Sequence, residues 1–165
     1  MEKGKGKVKL YWRDIPLGQA VDTNHIPLSL GGLSDAVGVN VGNPHAVFFV
    51  DDAESIDIEK LGPVLEHHEM FPERANIEVC SIIGEDRIRM RVWERGVGVT
   101  RACGTGACAV GVAAARRGLT GRKTEIILDG GPLTIEWLPD DHVLMTGPVA
   151  TSFSGLLHGS LLGQH

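Results

Sequence analysis

The chain has 165 residues, of which 42% are hydrophobic and 22% are charged, a length and composition that favour one globular domain with one core. The longest apolar run, residues 107–115, is too short for the roughly 20 residues of a membrane span. Because no signal-peptide core is visible, we expect a cytoplasmic protein without a membrane partner. A net charge of −5 gives no long-range attraction to nucleic acid, so we expect no nucleic-acid partner either.

Short strands are expected through most of the chain, because β-branched stretches alternate with turn signals and the chain contains 22 glycines. In Arg87–Trp93 every second residue is apolar, which predicts one buried face and a row of arginines facing water. Turn residues divide 124–147 into three strands of an antiparallel meander. The predicted strands are Val8–Trp12, Val37–Val41, Ala46–Val50, Asn76–Ile83, Arg87–Trp93, Thr124–Leu128, Leu133–Trp137 and His142–Gly147.

Two segments have helical patterns. In Ile58–Glu69 the apolar residues Ile58, Leu61, Val64 and Leu65 share one stripe, which predicts a surface helix, although Gly62-Pro63 weakens it. The second helix, 104–117, consists almost wholly of small apolar residues and ends at Gly118, so it can be buried on every side. We therefore predict an α+β fold, a mixed, largely antiparallel sheet wrapped around a central helix.

The three cysteines, Cys80, Cys103 and Cys108, are an odd number without an export signal, which favours reduced thiols over a disulfide framework. Cys103 directly precedes Gly104-Thr105-Gly106 at the start of the central helix, where free backbone N–H groups and the helix dipole favour a thiolate. This location predicts a pKa below the free value of about 8.5 and a thiol able to lose and return a proton. Cys80 and Cys108 are interpreted as buried core residues.

Polar side chains cluster at three other places. Asn43 and His45 project from a tight turn, Val41–Val47, between two predicted strands. Glu94-Arg95 lies at a strand end and Asn76 at a strand start. Each alone is also compatible with a structural role, as a turn residue, a core histidine or an exposed ion pair.

Together, four motifs in this order resemble the diaminopimelate epimerase family, and the resemblance extends over about residues 35–155. The motifs are Gly42-Asn-Pro-His45, Ala75-Asn-Ile-Glu78, Trp93-Glu-Arg-Gly96 and Ala102-Cys-Gly-Thr-Gly-Ala-Cys108. The family interconverts L,L- and meso-diaminopimelate, a step of lysine and peptidoglycan precursor biosynthesis, without pyridoxal phosphate or metal. It uses two thiols on opposite faces of the α-carbon, and its proteins fold as two similar halves with the substrate between them.

The resemblance implies an isomerase in which Cys103 is a catalytic thiol supported by His45 and Glu94, with no cofactor and no metal. It also implies that the charged groups of the substrate are contacted by Asn43, Asn76, Glu94, Arg95, Gly104 and Thr105. Thr105 stands where serine is usual in the family, and its hydroxyl and backbone N–H keep that role available.

The second catalytic cysteine of the family lies in an Asn-Cys-Gly-Asn-Gly type motif, and this sequence contains no such motif. We therefore interpret residues 35–155 as a C-terminal catalytic domain, 1–34 as a leading segment that includes an inter-domain crossing strand, and 156–165 as a tail. The expected partners are diaminopimelate and an N-terminal half, from the same or a separate chain, or a second copy in a homodimer. We expect this chain alone to bind substrate poorly and not to epimerise it.

Other functions remain open at this point. A proline-type racemase shares the Cys-Gly-Thr-Gly element, although Gly-Asn-Pro-His and Trp-Glu-Arg-Gly favour diaminopimelate. Gly104–Ala109 formally fits a dinucleotide-binding fingerprint but lacks a firm strand before it. Zinc would need Cys103 and Cys108 to converge with His67 and His68, yet the two cysteines are turned about 140° apart on a helix. A lone half could also serve a non-enzymatic or assembly role.

Overall fold

In residues 2–156 and 158, which the computed structural model describes, the chain forms one sheet of ten strands and two α-helices. The helices are α1 (Ile58–Glu66) and α2 (Gly104–Arg116), and a 3-10 turn covers Ala53–Ser55. The strands are β1 (Glu2–Lys7), β2 (Ile26–Leu30), β3 (Leu33–Asn40), β4 (Pro44–Phe49), β5 (Asn76–Gly84), β6 (Arg87–Glu94), β7 (Gly98–Val99), β8 (Lys123–Leu128), β9 (Gly131–Trp137) and β10 (His142–Thr146).

The strand order is β1-β10-β9-β8-β6-β5-β4-β3-β2, with β7 paired to β6 outside this path. Neighbouring strands are antiparallel except at β4/β5 and β6/β8, where they are parallel. The predicted mixed, largely antiparallel sheet is confirmed. Strands β8, β9 and β10 are consecutive antiparallel neighbours, so the meander is confirmed as well.

Helix α2 lies in the concave side of this sheet, where residues 106–114 are all buried. It contacts seven strands, β3, β4, β5, β6, β8, β9 and β10. Its glycines, alanines and valines let the strands approach closely on every side, which longer side chains would prevent. The helix ends before Gly118, whose φ of +66° is the left-handed conformation that terminates helices. The predicted central helix is confirmed.

The opposite face of the sheet holds a second core, into which α1 packs. Along β4, Ala46 and Phe48 belong to this second core, while Val47 belongs to the core around α2. Strand β5 alternates in the same way, since Val79 lies in the second core and Cys80 in the α2 core. Polar residues that share the α2 side of these strands are therefore directed toward the central helix.

The strand predictions need correction at three places near the start of the chain. Val8–Trp12 is not a strand: the chain turns where the Tyr11 carbonyl accepts hydrogen bonds from the N–H groups of Asp14 and Ile15, and only an isolated Lys9–Asn40 bridge remains. Strand β1 was not predicted. Strand β2 was not predicted either, although its apolar residues alternate. Pro27 lies within it, and proline is tolerated because β2 is an edge strand of the sheet.

Two side-chain predictions are wrong in detail. Arg89 and Arg91 do not face water, since their side chains are only 18% and 21% exposed and form ion pairs with Glu54. Helix α1 ends at Glu66 rather than at residue 69, and Val64 is 54% exposed instead of packing with the stripe. The proposed tail, 156–165, lies outside the described residues except for 156 and 158.

We expect Gly111→Ala to destabilise the protein despite the usual helical preference for alanine over glycine. A Cβ at position 111 would lie 2.7 Å from Cγ2 and 3.1 Å from Cβ of Ile135, and a β-branched side chain in a packed core cannot move aside easily. Overpacking of this kind costs about 1–3 kcal/mol, more than the roughly 0.5–1 kcal/mol that alanine contributes in a helix. Urea unfolding measures the difference.

The matched control is Gly6→Ala, because a Cβ at that glycine of β1 would meet nothing within 4 Å. It should leave the free energy of unfolding within about 0.5 kcal/mol of the parent. A Gly111→Ala variant as stable as this control would contradict the close packing of α2 against β9.

Candidate active site

Cys103 caps the N-terminus of α2. Its backbone is extended, with φ −135° and ψ 103°, and its sulfur accepts a hydrogen bond from the Gly106 N–H at 3.3 Å. The Thr105 hydroxyl lies 3.5 Å from the same sulfur. The residue is 6% exposed and belongs to the core around α2. The sulfur therefore caps one backbone N–H of the first helical turn, that of Gly106.

The electrostatic surroundings of this thiol differ from the sequence prediction. Burial and the nearby Glu78 and Glu94 carboxylates raise the pKa of Cys103, and the hydrogen bonds from Thr105 and Gly106 only partly oppose them. The prediction of a lowered pKa is wrong for this chain. The helix terminus acts as expected, but desolvation and two nearby acidic groups outweigh it.

His45 and Glu78 form a buried pair on neighbouring strands, β4 and β5. The His45 Nδ1 lies 2.6 Å from Glu78 Oε1, and both side chains are fully buried. The other ring nitrogen, Nε2, lies 3.0 Å from the amide oxygen of Asn43, and this contact fixes the side chain within the turn. Burial raises the pKa of Glu78, while His45 opposes that shift. The second carboxylate oxygen of Glu78, Oε2, has no hydrogen-bond partner among the described residues.

Gly106 brings this pair next to the thiol. A Cβ at position 106 would lie 3.0 Å from Glu78 Oε1 and 3.2 Å from Cys103 Sγ, as well as 2.8 Å from Met90 Cε. The space is open only because the residue is glycine. Glu78 had no role in the sequence prediction, although the signal was present: a carboxylate in a strand between two apolar residues, Ile77 and Val79.

The turn after β6 positions Glu94 and Arg95. The Arg95 N–H donates to the amide oxygen of Asn76 at 2.9 Å, and the Asn76 amide nitrogen donates to the Pro44 carbonyl at 3.0 Å. The Thr100 hydroxyl donates to the Glu94 carboxylate. Asn76 is thus a link between the turn that presents Asn43 and the turn that presents Arg95.

An open polar hollow of about 390 Å³ lies beside these turns and includes Asn43 and Arg95. Two further cations, Lys9 and Arg13, line it and were not predicted. Gly104 and Thr105 lie at the helix N-terminus next to Cys103. The structure thus places Cys103 and the His45–Glu78 pair around Gly106, and places Asn43 and Arg95 in the adjacent hollow.

Comparison with known proteins identifies the family of this chain. The family model described as "Diaminopimelate epimerase" matches residues 37–152. The chain belongs to the diaminopimelate epimerase family. The matched range includes Cys103, the His45–Glu78 pair, and Asn43 and Arg95 of the hollow.

Relatives named diaminopimelate epimerase are similar along nearly the whole chain. The protein from Rhodospirillum centenum is 63% identical over 157 residues, 95% of this chain and 54% of its own length. The protein from Erythrobacter litoralis is 54% identical over 150 residues, 91% of this chain and 56% of its own length. The chain therefore spans about half the length of these diaminopimelate epimerases.

The fold resembles a solved structure of a protein described as a predicted epimerase from Pseudomonas aeruginosa, with a TM-score of 0.53 and 15% identity. That match covers 87% of this chain and 53% of the other. Within residues 2–156 and 158, no helix has the length and apolar character needed to cross a membrane. In the same residues no three His, Cys, Asp or Glu side chains are grouped as a metal site would need.

We expect alkylation of Cys103 by iodoacetamide to be slow at neutral pH and to accelerate beyond about pH 8.5, because only the thiolate reacts and the pKa is raised. Peptide mapping by mass spectrometry identifies the modified residue. Cys80 and Cys108 are fully buried and should stay unmodified in the folded chain. The pH dependence of Cys103 alkylation in the denatured chain is the reference. A midpoint pH in the folded chain at or below the midpoint in the denatured chain would contradict the raised pKa.

We expect Glu78→Ala to cost roughly 3–5 kcal/mol of unfolding free energy, because it leaves a buried imidazole without its partner. The control is Glu125→Ala, which removes an ion pair with Arg87 in which both side chains are well exposed, and should cost less than about 1 kcal/mol. Urea unfolding compares the two variants. Equal costs would show that the His45–Glu78 pair contributes no more than a surface ion pair.

Proposed function

We propose that this chain is the C-terminal catalytic half of a diaminopimelate epimerase, with residues 35–155 as the catalytic domain and 1–34 as the segment that leads to the other half. The main support is the position of Cys103, a thiol at a helix N-terminus beside the buried His45–Glu78 pair, in a chain of this family.

The proposed chemistry is proton exchange at the α-carbon. A thiolate on one face removes the α-proton, and a thiol on the opposite face donates a proton to the resulting carbanion, so the configuration inverts and the two thiols exchange protonation states. Because the pKa of Cys103 is raised, we assign Cys103 as the thiol that donates the proton, and the thiol on the opposite face as the thiolate that removes it. Neither step changes an oxidation state, so no redox cofactor is needed.

Diaminopimelate has a carboxylate and an amine at each end, and the site offers complementary groups at two places. The N–H groups of Gly104 and Thr105 at the start of α2 are suited to the carboxylate beside the reacting carbon, where negative charge develops in the transition state. In the hollow, the Arg95 guanidinium and the Asn43 amide are suited to the carboxylate at the other end. Glu94 would pair with an amine.

The second thiol must come from elsewhere. Cys80 and Cys108 are fully buried, and the pKa of Cys80 is raised well above its usual value by burial and by Glu78, so neither is suited to exchange protons with a substrate. We propose that an N-terminal half supplies the thiol, with a second copy of this chain as the alternative. A cytoplasmic location stays a prediction.

The test is deuterium uptake at the α-carbons of L,L-diaminopimelate in heavy water, measured by mass spectrometry. We expect no uptake with this chain alone, and uptake after addition of a separately produced N-terminal half of a close relative. Cys103→Ala should abolish the restored uptake.

Two outcomes would contradict parts of this proposal. Uptake by this chain alone that disappears in Cys103→Ala would show that the second acid comes from within the chain or from a second copy. Uptake that persists in Cys103→Ala with the N-terminal half present would show that Cys103 is not the catalytic thiol.

A further inference from the structure

Glu66 is a buried carboxylate on the face of the sheet opposite to Cys103. It is the last residue of α1 and is only 2% exposed. Its two oxygens accept hydrogen bonds from residues on either side of the turn after β6. The Trp93 indole N–H donates to Oε2 at 2.7 Å, and the Gly96 backbone N–H donates to Oε1 at 3.0 Å.

The hydrogen-bond geometry requires a carboxylate at this position. Both partners can only donate, so two acceptor atoms must face them. A glutamine would offer one oxygen and one NH2 group. Its NH2 group would then face the N–H of either Trp93 or Gly96, and that N–H would have no acceptor. An Arg74 guanidinium nitrogen at 3.7 Å from Oε1 supplies partial charge compensation, although its own side chain is 53% exposed.

The position is otherwise unfavourable for an acidic residue. The C-terminus of a helix has a partial negative charge, so a carboxylate at the last helical residue is repelled by it, and burial adds a desolvation cost. The two hydrogen bonds offset these costs. A residue that breaks a local rule in this way is often associated with a functional site.

Close packing of α1 on β6 makes the contact possible. A Cβ at Gly62 would lie 2.5 Å from the Trp93 ring, so the indole lies directly against the helix backbone. The indole N–H is thereby directed at Glu66, one turn further along α1. Helix α1 therefore contacts both ends of the turn, since its Gly62 packs on the Trp93 ring and its Glu66 accepts from Gly96.

We propose that Glu66 is a positioning residue that holds the Trp93–Gly96 turn, so that Glu94 and Arg95 are presented in a fixed conformation. Asn76 holds the Arg95 N–H from β5, while Glu66 holds the residues before and after the Glu94-Arg95 pair. The expected effect on substrate affinity rests on the proposed function, whereas the effect on the turn itself does not.

The test is amide hydrogen exchange at Gly96, followed by NMR in this chain, for Glu66→Gln, Trp93→Phe and the double variant. Glu66→Gln should raise the exchange rate of the Gly96 amide about tenfold, since only one of the two donors, Trp93 or Gly96, can keep a side-chain oxygen as its acceptor. Trp93→Phe removes the indole donor but leaves both oxygens of Glu66 in place, so the Gly96 amide should stay protected from exchange. In the double variant the side-chain oxygen of the introduced glutamine faces Gly96 without competition, and protection should return toward that of the parent.

The control is Glu69→Gln, the same substitution on an exposed residue just beyond α1, which should leave Gly96 exchange unchanged. A purely structural role would make the double variant worse than either single variant. That result, or an equal rise at Gly96 and at the amides of α2, would overturn the proposal.

A kinetic measurement separates this role from the proposed function. With the N-terminal half added, Glu66→Gln should raise KM for L,L-diaminopimelate about tenfold with a smaller change in kcat, because Arg95 binds substrate away from the reacting carbon. If the unmodified pair of halves shows no proton exchange, the proposed function fails, and the Gly96 exchange rates still decide the role of Glu66.

Discussion

The burial of α2 inside a curved sheet is the constraint on which the rest of the structure depends. A helix in contact with seven strands must have small side chains almost everywhere, and residues 106–114 meet that condition. The same enclosure removes water from the helix N-terminus. Cys103 therefore sits where backbone N–H groups are free but where burial opposes ionisation, and the second effect is the stronger.

Polar residues on the α2 side of the strands complete the site. His45 and Glu78 lie on parallel neighbours, β4 and β5, and their pairing is a consequence of the register that places His45 opposite Asn76. Glycine at position 106 leaves room for the thiol and the carboxylate to approach the same point. One small residue thus lies between the central helix, strands β5 and β6, and the Cys103 thiol.

The opposite face of the sheet, where α1 packs, contacts the turn that carries Glu94 and Arg95. Helix α1 packs on Trp93 and places Glu66 against both ends of the turn that presents Glu94 and Arg95. Strand β6 connects the two cores, with Met90 directed toward α2 and Trp93 toward α1. Packing that looks purely structural in α1 is therefore part of the geometry of the hollow.

Local pattern determined much of this protein: the central helix from its small residues, the meander from its turns, and the position of Cys103 at the helix N-terminus from the glycines that follow it. Tertiary structure decided what depends on neighbours distant in sequence. Glu78 acquires its partner 33 residues away, and Arg89 is covered by Glu54 of the 3-10 turn. The pKa of Cys103 has the same origin, because desolvation and the fields of two carboxylates depend on which strands surround a helix end, and no sequence spacing records that.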